Sequence, residues 1–235
     1  MSRKPSLLLL GGMMCDERLW RSQLQYLDDD FAEIVVADLT RSSTIAGMAA
    51  DALSGAPRRF VLAGLSLGGI TAFECWRRAP ERISHLALID TNPAPEMPER
   101  QALREDEIGR ARAGELRRMM VDGFKPSYLG SAKRDDDTLL ETILDMALAL
   151  GPLVFERQAV ALRDRPDSRG TLPSIACPTA VVCGEEDVLC PPACHEYMAA
   201  RIPDSELTVL PRCGHMAPME AEVAVSETLR ALARR

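Results

Sequence analysis

The stretch FVLAGLSLGGITAF, residues Phe60–Phe73, places one serine among three glycines. Strand-forming residues run to Leu65, and a helical pattern resumes immediately after Ser66. A sharp strand-to-helix turn crowds the backbone two positions before and two positions after its centre, where Gly64 and Gly68 stand. Such a turn projects its central side chain above the sheet, so the pattern predicts a nucleophilic serine. The alternative is a glycine-rich turn that only lets the helix pack on the strand.

Apolar runs typical of buried strands alternate with helical patterns along most of the chain. The six runs are Ser6–Leu10, Glu33–Asp38, Arg59–Leu65, Ser84–Asp90, Thr179–Gly184 and Ser205–Leu210. Continuous apolar runs separated by helices indicate parallel strands that are covered on both faces. The chain is therefore predicted to be an α/β protein with a mostly parallel six-stranded sheet and helices on both faces.

The alternation stops between about Pro95 and Pro173, where charged helical segments replace the strands. We therefore predict a core formed by residues 1–94 and 174–235, and a helical insertion of residues 95–173. An insertion at this point lies over the carboxyl ends of the strands, which is where open α/β sheets bind ligands. It is predicted to act as a lid, and the alternative is a helical subdomain with no part in binding.

The 235 residues carry a formal net charge of −7 and a hydrophobic fraction of 46%, enough for one substantial core. The negative charge argues against nucleic acid and anionic membranes as main partners, since both require a basic surface. The apolar run at Ser6–Leu10 is short and ends at two glycines, so we interpret it as a strand rather than a leader and expect a cytoplasmic protein. No segment is expected to supply the roughly 20 apolar residues of a membrane span, and the sequence does not indicate an oligomeric state.

Seven cysteines, an odd number, argue against a disulfide framework in a reducing compartment. Cys190, Cys194 and His195 are close in sequence and raise the possibility of zinc. The remaining sequence offers no second ligand pair with zinc-like spacing, so we interpret these side chains as packed on or beside a helix. No metal and no cofactor is predicted.

A serine nucleophile needs a neighbouring base, and the base needs an acid that orients it. Of the three histidines, His85 begins a strand and His195 lies early in a helix, and both are interpreted as structural or solvated. His215 follows the sixth strand. Because that end of the sheet is also where Ser66 emerges, His215 is the predicted base.

The loop after the fifth strand, CGEEDVLCPP, offers three carboxylates. A carboxylate in this loop would lie between the loops that carry the serine and the histidine. Asp187 is therefore the predicted acid, and Asp90, at the end of the fourth strand, is the alternative. The order of Ser66, Asp187 and His215 along the chain is that of one class of hydrolases.

The predicted oxyanion hole consists of two backbone amides. One belongs to Leu67, which follows the serine at the start of a helix. The other belongs to Met13, because the loop after the first strand turns through Gly11 and Gly12 at the same edge of the sheet. The alternative for this loop is a simple glycine turn.

Together, GLSLG, GEED followed by PP, GH near the end and the glycine turn after the first strand resemble the α/β-hydrolase fold over essentially the whole chain. The chain looks most similar to small bacterial carboxylesterases and 3-oxoadipate enol-lactonase-like hydrolases. The resemblance implies a serine hydrolase that cleaves a small carboxylic ester or lactone through an acyl-enzyme, without cofactor or metal. Three departures are the missing antiparallel strand pair at the start, Gly11-Gly12 where His-Gly is common, and Leu65 where a polar residue is frequent.

The same fold also serves thioester hydrolysis, C–C bond hydrolysis, aminopeptidase action and acyl transfer, and these alternatives stay open. A ligand receptor that keeps the triad is an alternative of another class, and an inert interaction domain is a third. Dehalogenases and epoxide hydrolases need a carboxylate at position 66, so the serine excludes them. Arg157, Arg163 and Arg165 could meet a carboxylate on the substrate, but they are interpreted as a solvated helix face.

Overall fold

The computed structural model describes residues 4–124 and 127–235. Met1–Arg3 at the start, and Lys125 and Pro126 within the predicted lid, lie outside the described residues. Of the basic residues that precede the first apolar run, Arg3 is therefore among those not described.

Six parallel strands form one sheet, which confirms the predicted fold class. They are β1 (Ser6–Leu10), β2 (Glu33–Ala37), β3 (Phe60–Leu65), β4 (Ile83–Ile89), β5 (Thr179–Gly184) and β6 (Ser205–Leu210). Their order is β2-β1-β3-β4-β5-β6. Strand β2 therefore lies on one side of β1, whereas β3 and the later strands lie on the other side. Open α/β sheets bind ligands in the crevice at such a reversal, and here it lies between the carboxyl ends of β1 and β3.

Side chains of successive strand residues alternate between two apolar layers. Leu7 and Leu9 belong to the layer on one face of the sheet, and Leu8 and Leu10 belong to the layer on the other. All four are fully buried, as expected when helices cover both faces of a parallel sheet. The edge strand β6 is mostly exposed along its length, so the continuous apolar pattern is strongest in the central strands.

The helices of the described chain alternate with the strands, as predicted, except within residues 95–173. They are α1 (Arg21–Tyr26), α2 (Ile45–Gly55), α3 (Leu67–Arg78), α4 (Pro98–Arg112), α5 (Leu116–Met119), α6 (Asp137–Arg163), α7 (Pro192–Ala199), α8 (Ala217–Glu220) and α9 (Glu222–Leu232). Short 3-10 segments span Glu17–Trp20, Pro80–Arg82 and Arg169–Ser174, and a π-helical turn spans Met120–Phe124. The segment between β1 and β2 thus begins with a 3-10 turn, capped by the Asp16 carboxylate, and continues into the short helix α1.

Helices, and no strand, occupy the described residues between β4 and β5. Helix α4 packs against α6. Apolar side chains of these helices, including Ile108, Met146 and Phe155, join the layer that contains Leu7 and Leu9. The inserted helices therefore share a core with one face of the sheet, while the division into a core and a lid stays a prediction.

Helix α6 corrects the expectation that no segment has the length and composition of a membrane span. Its length is sufficient for a membrane span, and so is the mean hydropathy of 1.6 in its most apolar window. However, Gly151 has a non-helical φ of 77° and Pro152 follows it, so two shorter helical segments meet at a kink. Each segment is well short of the roughly 20 residues that a span needs, and Met146 and Phe155 on either side of the kink are fully buried in the protein core.

Candidate active site

Ser66 stands at the turn between β3 and α3, as the sequence predicts. Its φ of 52° and ψ of −112° lie outside the regions that residues with a side chain usually occupy. Two hydrogen bonds hold the turn in this conformation. The Ser66 N–H donates to the Ile89 carbonyl at 3.0 Å, and the Thr91 hydroxyl donates to the Ser66 carbonyl at 2.8 Å.

The glycines on either side of Ser66 are required by close backbone approach. A Cβ atom added at Gly64 would lie 2.5 Å from the carbonyl group of Gly68. A Cβ atom added at Gly68 would lie 2.2 Å from the carbonyl oxygen of Leu10 in β1. Both distances are far below van der Waals contact, so the turn can form only if these two positions carry no side chain.

The three predicted catalytic side chains come together above the carboxyl ends of the strands. The His215 Nε2 lies 2.9 Å from the Ser66 Oγ, and the His215 Nδ1 lies 2.8 Å from the Asp187 Oδ2. A carboxylate only accepts hydrogen bonds, so Nδ1–H donates to Asp187 and the serine hydroxyl donates to Nε2. This is the arrangement in which an imidazole can remove the proton of a serine.

Electrostatics favours an ionised acid beside a basic imidazole. Burial acts to raise the pKa of Asp187, but the charge and hydrogen bond of His215 lower it below its usual value. Burial likewise acts to lower the pKa of His215, but Asp187 beside it raises it above 6.5. The Asp187 Oδ1 also accepts from the backbone N–H groups of Leu189 and Cys190 at 2.8 and 2.9 Å, which stabilises the charged form.

The alternative acid, Asp90, makes no hydrogen bond to the imidazole. Its Oδ1 accepts from the Gly184 N–H at 2.9 Å, and its Oδ2 accepts from the Ala217 N–H at 3.1 Å. Complete burial, together with the nearby charge of Asp187, raises the pKa of Asp90 to about 7. Asp90 therefore joins the loops that carry Asp187 and His215, whereas Asp187 contacts the ring itself.

The sequence did not predict the role of Glu220, which holds the histidine loop in place. Its carboxylate accepts from the backbone N–H groups of Gly214 and Met216 at about 3 Å and from that of Gly130 at 2.7 Å. The backbone N–H of His215 donates to the Tyr128 carbonyl at 2.7 Å. The available signal was a single acidic residue in the otherwise apolar segment HMAPME.

The loop after β1 passes beside the serine. A Cβ atom added at Gly12 would lie 3.7 Å from the Ser66 Cβ. The Met14 N–H donates to the side chain of Gln158 at 2.8 Å, a contact that the sequence also did not predict. Within the described residues, the N–H groups of Met13 and Leu67 donate no hydrogen bond, so these two predicted oxyanion donors are free to bind a ligand.

A cavity of about 420 Å³ opens at the serine. Met13, Ser66 and His215 contribute to its wall from the strand-end loops, and the inserted segment contributes a second wall. The side chains on that wall include Glu96, Met97, Arg100, Arg104, Tyr128, Leu162 and Arg165. The volume suits a small organic molecule.

The prediction that Arg157, Arg163 and Arg165 form a solvated helix face is wrong for Arg165. Arg165 lines the cavity, and its side chain is only 10% exposed. Arg157 donates to the Thr40 carbonyl at 3.2 Å, and Arg163 forms ion pairs at the surface. The burial of Arg165 depends on the loop after β4, whose path the sequence pattern does not give.

The other histidines and cysteines lie away from the serine hydroxyl or are inert. The Thr91 N–H donates to the His195 Nε2 at 2.9 Å, and burial lowers the pKa of His195 to about 4, so its ring is neutral and structural. Ligand atoms of Asp187, Cys190 and His215 lie within 4.8 Å of one another. Burial raises the pKa of the Cys190 thiol well above its usual value, which favours its protonated form in the protein alone.

Comparisons with known proteins agree with this architecture. A family model described as "Alpha/beta hydrolase family" matches residues 8–228. The chain is 27% identical to the pimeloyl-[acyl-carrier protein] methyl ester esterase of Aromatoleum aromaticum, over 97% of this chain and 99% of the relative. Methyl ester esterases of the same name from Nitrosospira multiformis and Nitrosomonas europaea are 28% and 24% identical over 68% and 90% of the chain.

Two solved structures resemble the whole chain. A thermophilic esterase from Thermogutta terrifontis, in a malate-bound structure, is 30% identical with a TM-score of 0.89, covering 100% of this chain and 91% of that one. The enol-lactonase from Burkholderia xenovorans is 21% identical with a TM-score of 0.87, covering 100% and 93%. At 21% identity, the likeness to the enol-lactonase shows a shared fold and no more.

Proposed function

This chain belongs to the alpha/beta hydrolase family and is an esterase-type serine hydrolase, and we propose that it cleaves a small carboxylic ester or lactone through an acyl-enzyme on Ser66. The observation that carries the proposal is the continuous hydrogen-bonded series from the Ser66 Oγ through His215 to Asp187. Each link is shorter than 3 Å, and the hydroxyl faces a cavity that can admit a substrate.

The first chemical step is attack of the serine oxygen on the ester carbonyl. His215 Nε2 takes the hydroxyl proton as the Oγ–C bond forms, and the carbonyl π electrons move to the oxygen. Asp187 keeps the ring in the tautomer that can accept this proton and stabilises the imidazolium that results. The Met13 and Leu67 N–H groups are the proposed donors to the oxyanion, a contribution typically worth about 2.7–4 kcal/mol per donor.

Collapse of the tetrahedral intermediate then breaks the bond to the leaving alkoxide, which receives the proton from His215. Water repeats the sequence on the acyl-enzyme: His215 removes its proton, the oxyanion forms again, and Ser66 leaves as the alcohol. The carboxylic acid is released and the enzyme is regenerated. All groups in this scheme are supplied by the chain itself.

We propose that the inserted helices act as the lid predicted from the sequence, because they form the wall of the cavity that faces the serine. A cytoplasmic location remains part of the same proposal. Relatives named for a methyl ester support ester cleavage over the other chemistries of the fold. A methyl ester on an acyl chain held by a carrier protein is a second candidate substrate, favoured by coverage of nearly the full length of that relative.

Covalent labelling tests the proposal directly. A fluorophosphonate probe should label the wild-type chain on the peptide that contains Ser66, as mapped by mass spectrometry. Ser66→Ala should lose the label and lower p-nitrophenyl acetate hydrolysis roughly a millionfold, because the nucleophile is absent. Ser54→Ala, at an exposed serine on α2, is the matched control and should keep both. Turnover by Ser66→Ala at the wild-type rate, with its circular dichroism spectrum unchanged, would contradict the proposal.

A further inference from the structure

The second wall of the cavity carries an arginine cluster: Arg100, Arg104 and Arg165. Two of these side chains, those of Arg104 and Arg165, are only 10% exposed. The cavity is otherwise lined largely by apolar and neutral groups, and a small ester needs no cation. Long basic side chains are rarely buried unless a charged partner is present.

The carboxylates of the protein do not balance this cluster. Glu96 pairs with Arg104 at 3.4 Å and with Arg165 at 3.2 Å. Glu107 pairs with Arg104 at 3.2 Å and with Arg100 at 3.7 Å. Three guanidinium groups thus share two carboxylates, and no further acidic side chain of the described residues pairs with them. The cluster therefore carries one more cation than its partners carry anions, although Arg100 is also 42% exposed to solvent.

Two of the guanidinium groups also have N–H groups that donate no hydrogen bond to a described residue. Arg165 donates through Nε to the Ala94 carbonyl and through Nη2 to the Pro95 carbonyl, while its Nη1 donates to no described residue. Arg104 donates through Nε and Nη1, while its Nη2 donates to no described residue. Both nitrogens are partly accessible, since neither is among the buried side-chain atoms of the described residues that lack a hydrogen-bond partner. Each can therefore reach a ligand or solvent in the cavity.

Burial affects Arg165 most directly. Desolvation lowers the pKa of its guanidinium below the usual value, and this exceeds the opposing effect of Glu96. The protein's own carboxylate therefore leaves the cation only partly compensated. A buried anion beside it would supply the missing compensation through charge-assisted hydrogen bonds.

The cluster lies one side chain away from the reacting groups. The Arg104 Nη1 is 3.7 Å from the Met13 Sδ, and Met13 is the residue whose backbone N–H is proposed to bind the oxyanion. We propose that Arg104 and Arg165 bind a free carboxylate on the substrate, so that the enzyme acts on half-esters of dicarboxylic acids. This inference rests on the proposed esterase function and names the substrate class of the same site.

A structural tie between α4 and the loop after β4 would place the same residues together. The two interpretations differ in substrate selectivity. A structural tie affects turnover of charged and neutral esters alike, whereas a carboxylate site favours the charged ester specifically. The ratio of the two kcat/KM values therefore separates them.

The test compares monomethyl esters of the C4 to C7 dicarboxylic acids with methyl esters of the alkanoic acids of the same carbon number, by measuring methanol release. We expect wild-type kcat/KM for the half-ester of one chain length to exceed that of its neutral partner roughly 10- to 100-fold, the usual effect of a charged hydrogen bond. Equal values at every chain length would overturn the inference, even without any variant.

Variants then assign the effect to the cluster. Arg104→Met should reduce the half-ester to neutral-ester ratio roughly 10-fold or more, and Arg104→Lys should retain part of it because the charge remains but the planar fork is lost. Arg112→Met, at the exposed end of the same helix, where Arg112 pairs with Glu156, is the matched control and should keep the wild-type ratio. A ratio unchanged in Arg104→Met would overturn the assignment.

p-Nitrophenyl acetate distinguishes the two possible failures. If wild-type enzyme hydrolyses this neutral ester but shows no preference for half-esters, the carboxylate site is wrong and the esterase proposal stands. If p-nitrophenyl acetate and all the methyl esters are inert, the proposed function is wrong and this inference falls with it.

Discussion

The strand-end loops and the inserted helices face each other across one cavity, but they are built differently. The loops hold their side chains through backbone contacts so close that Cβ atoms at Gly64 and Gly68 would meet main-chain atoms at 2.5 and 2.2 Å. In the insertion, Cβ atoms at Gly109 and Gly170 would meet nothing within 4 Å. Bond-making groups need fixed geometry, whereas a wall that contacts the rest of the substrate can rely on long side chains.

Where the two regions touch, the insertion becomes as tightly packed as the loops. A Cβ atom at Gly130 would lie 2.3 Å from the Arg212 carbonyl oxygen, beside the loop that carries His215. The Gly130 N–H also donates to Glu220, which holds the same loop. Close packing therefore follows proximity to His215 rather than membership of the sheet or the insertion.

The largest effect that tests this contrast distinguishes the two buried carboxylates of the strand-end loops. We expect Asp187→Asn to lower kcat about 10⁴-fold, because an amide at this position no longer fixes the histidine tautomer or stabilises its cation. Asp90→Asn should cost far less activity, since Asp90 bonds only to backbone N–H groups. Steady-state kinetics on p-nitrophenyl acetate measures both. A larger loss in Asp90→Asn, with the fold intact, would assign the triad acid to Asp90.

A stability effect of intermediate size compares glycines of the two regions. Gly68→Ala should destabilise the fold by about 1–3 kcal/mol or more, because its Cβ overlaps the carbonyl of Leu10. Gly109→Ala, in α4, should instead stabilise by about 0.5–1 kcal/mol, since alanine favours a helix and has open space there. Urea unfolding midpoints give both values. Equal changes in the two variants would show that the strand-end turn is not as rigid as its contacts imply.

Local pattern was sufficient to predict the sheet and the edge of it at which the three side chains lie. The runs Ser6–Leu10 and Thr179–Gly184 match β1 and β5 residue for residue, because parallel strands buried between helices must be continuously apolar. Ser66, Asp187 and His215 follow three strands whose carboxyl ends share one edge, so topology alone places them near one another. Their hydrogen-bonded contact then follows from the loops.

Contacts between residues that are far apart in the chain could not be predicted from the sequence. Gln158 binds the Met14 N–H across 144 positions, and Glu220 binds the Gly130 N–H across 90. Nothing in the local pattern of Gln158 distinguishes it from an ordinary polar helix residue, and the isolated acid at Glu220 does not indicate which N–H groups it binds. The same holds for Arg165, whose burial against Glu96 depends on how the loop after β4 crosses the end of α6.

The smallest expected effect concerns the acid limb of the pH profile. Asp187 raises the pKa of His215 above 6.5, with lesser contributions from Asp90 and Glu220. Since only the neutral imidazole can accept the serine proton, kcat/KM for p-nitrophenyl acetate should rise with pH through an inflection above 6.5.

Asp90→Asn removes one of these negative charges, so the cationic imidazole loses stabilisation and the inflection should move to lower pH by a fraction of a unit. The sign is fixed: a lost anion can only make the imidazolium easier to deprotonate. Arg112→Met, far from the triad, should leave the inflection in place. An unshifted inflection in Asp90→Asn would mean that Asp90 is already protonated when the enzyme works, which its own pKa of about 7 allows at the acid end of the profile.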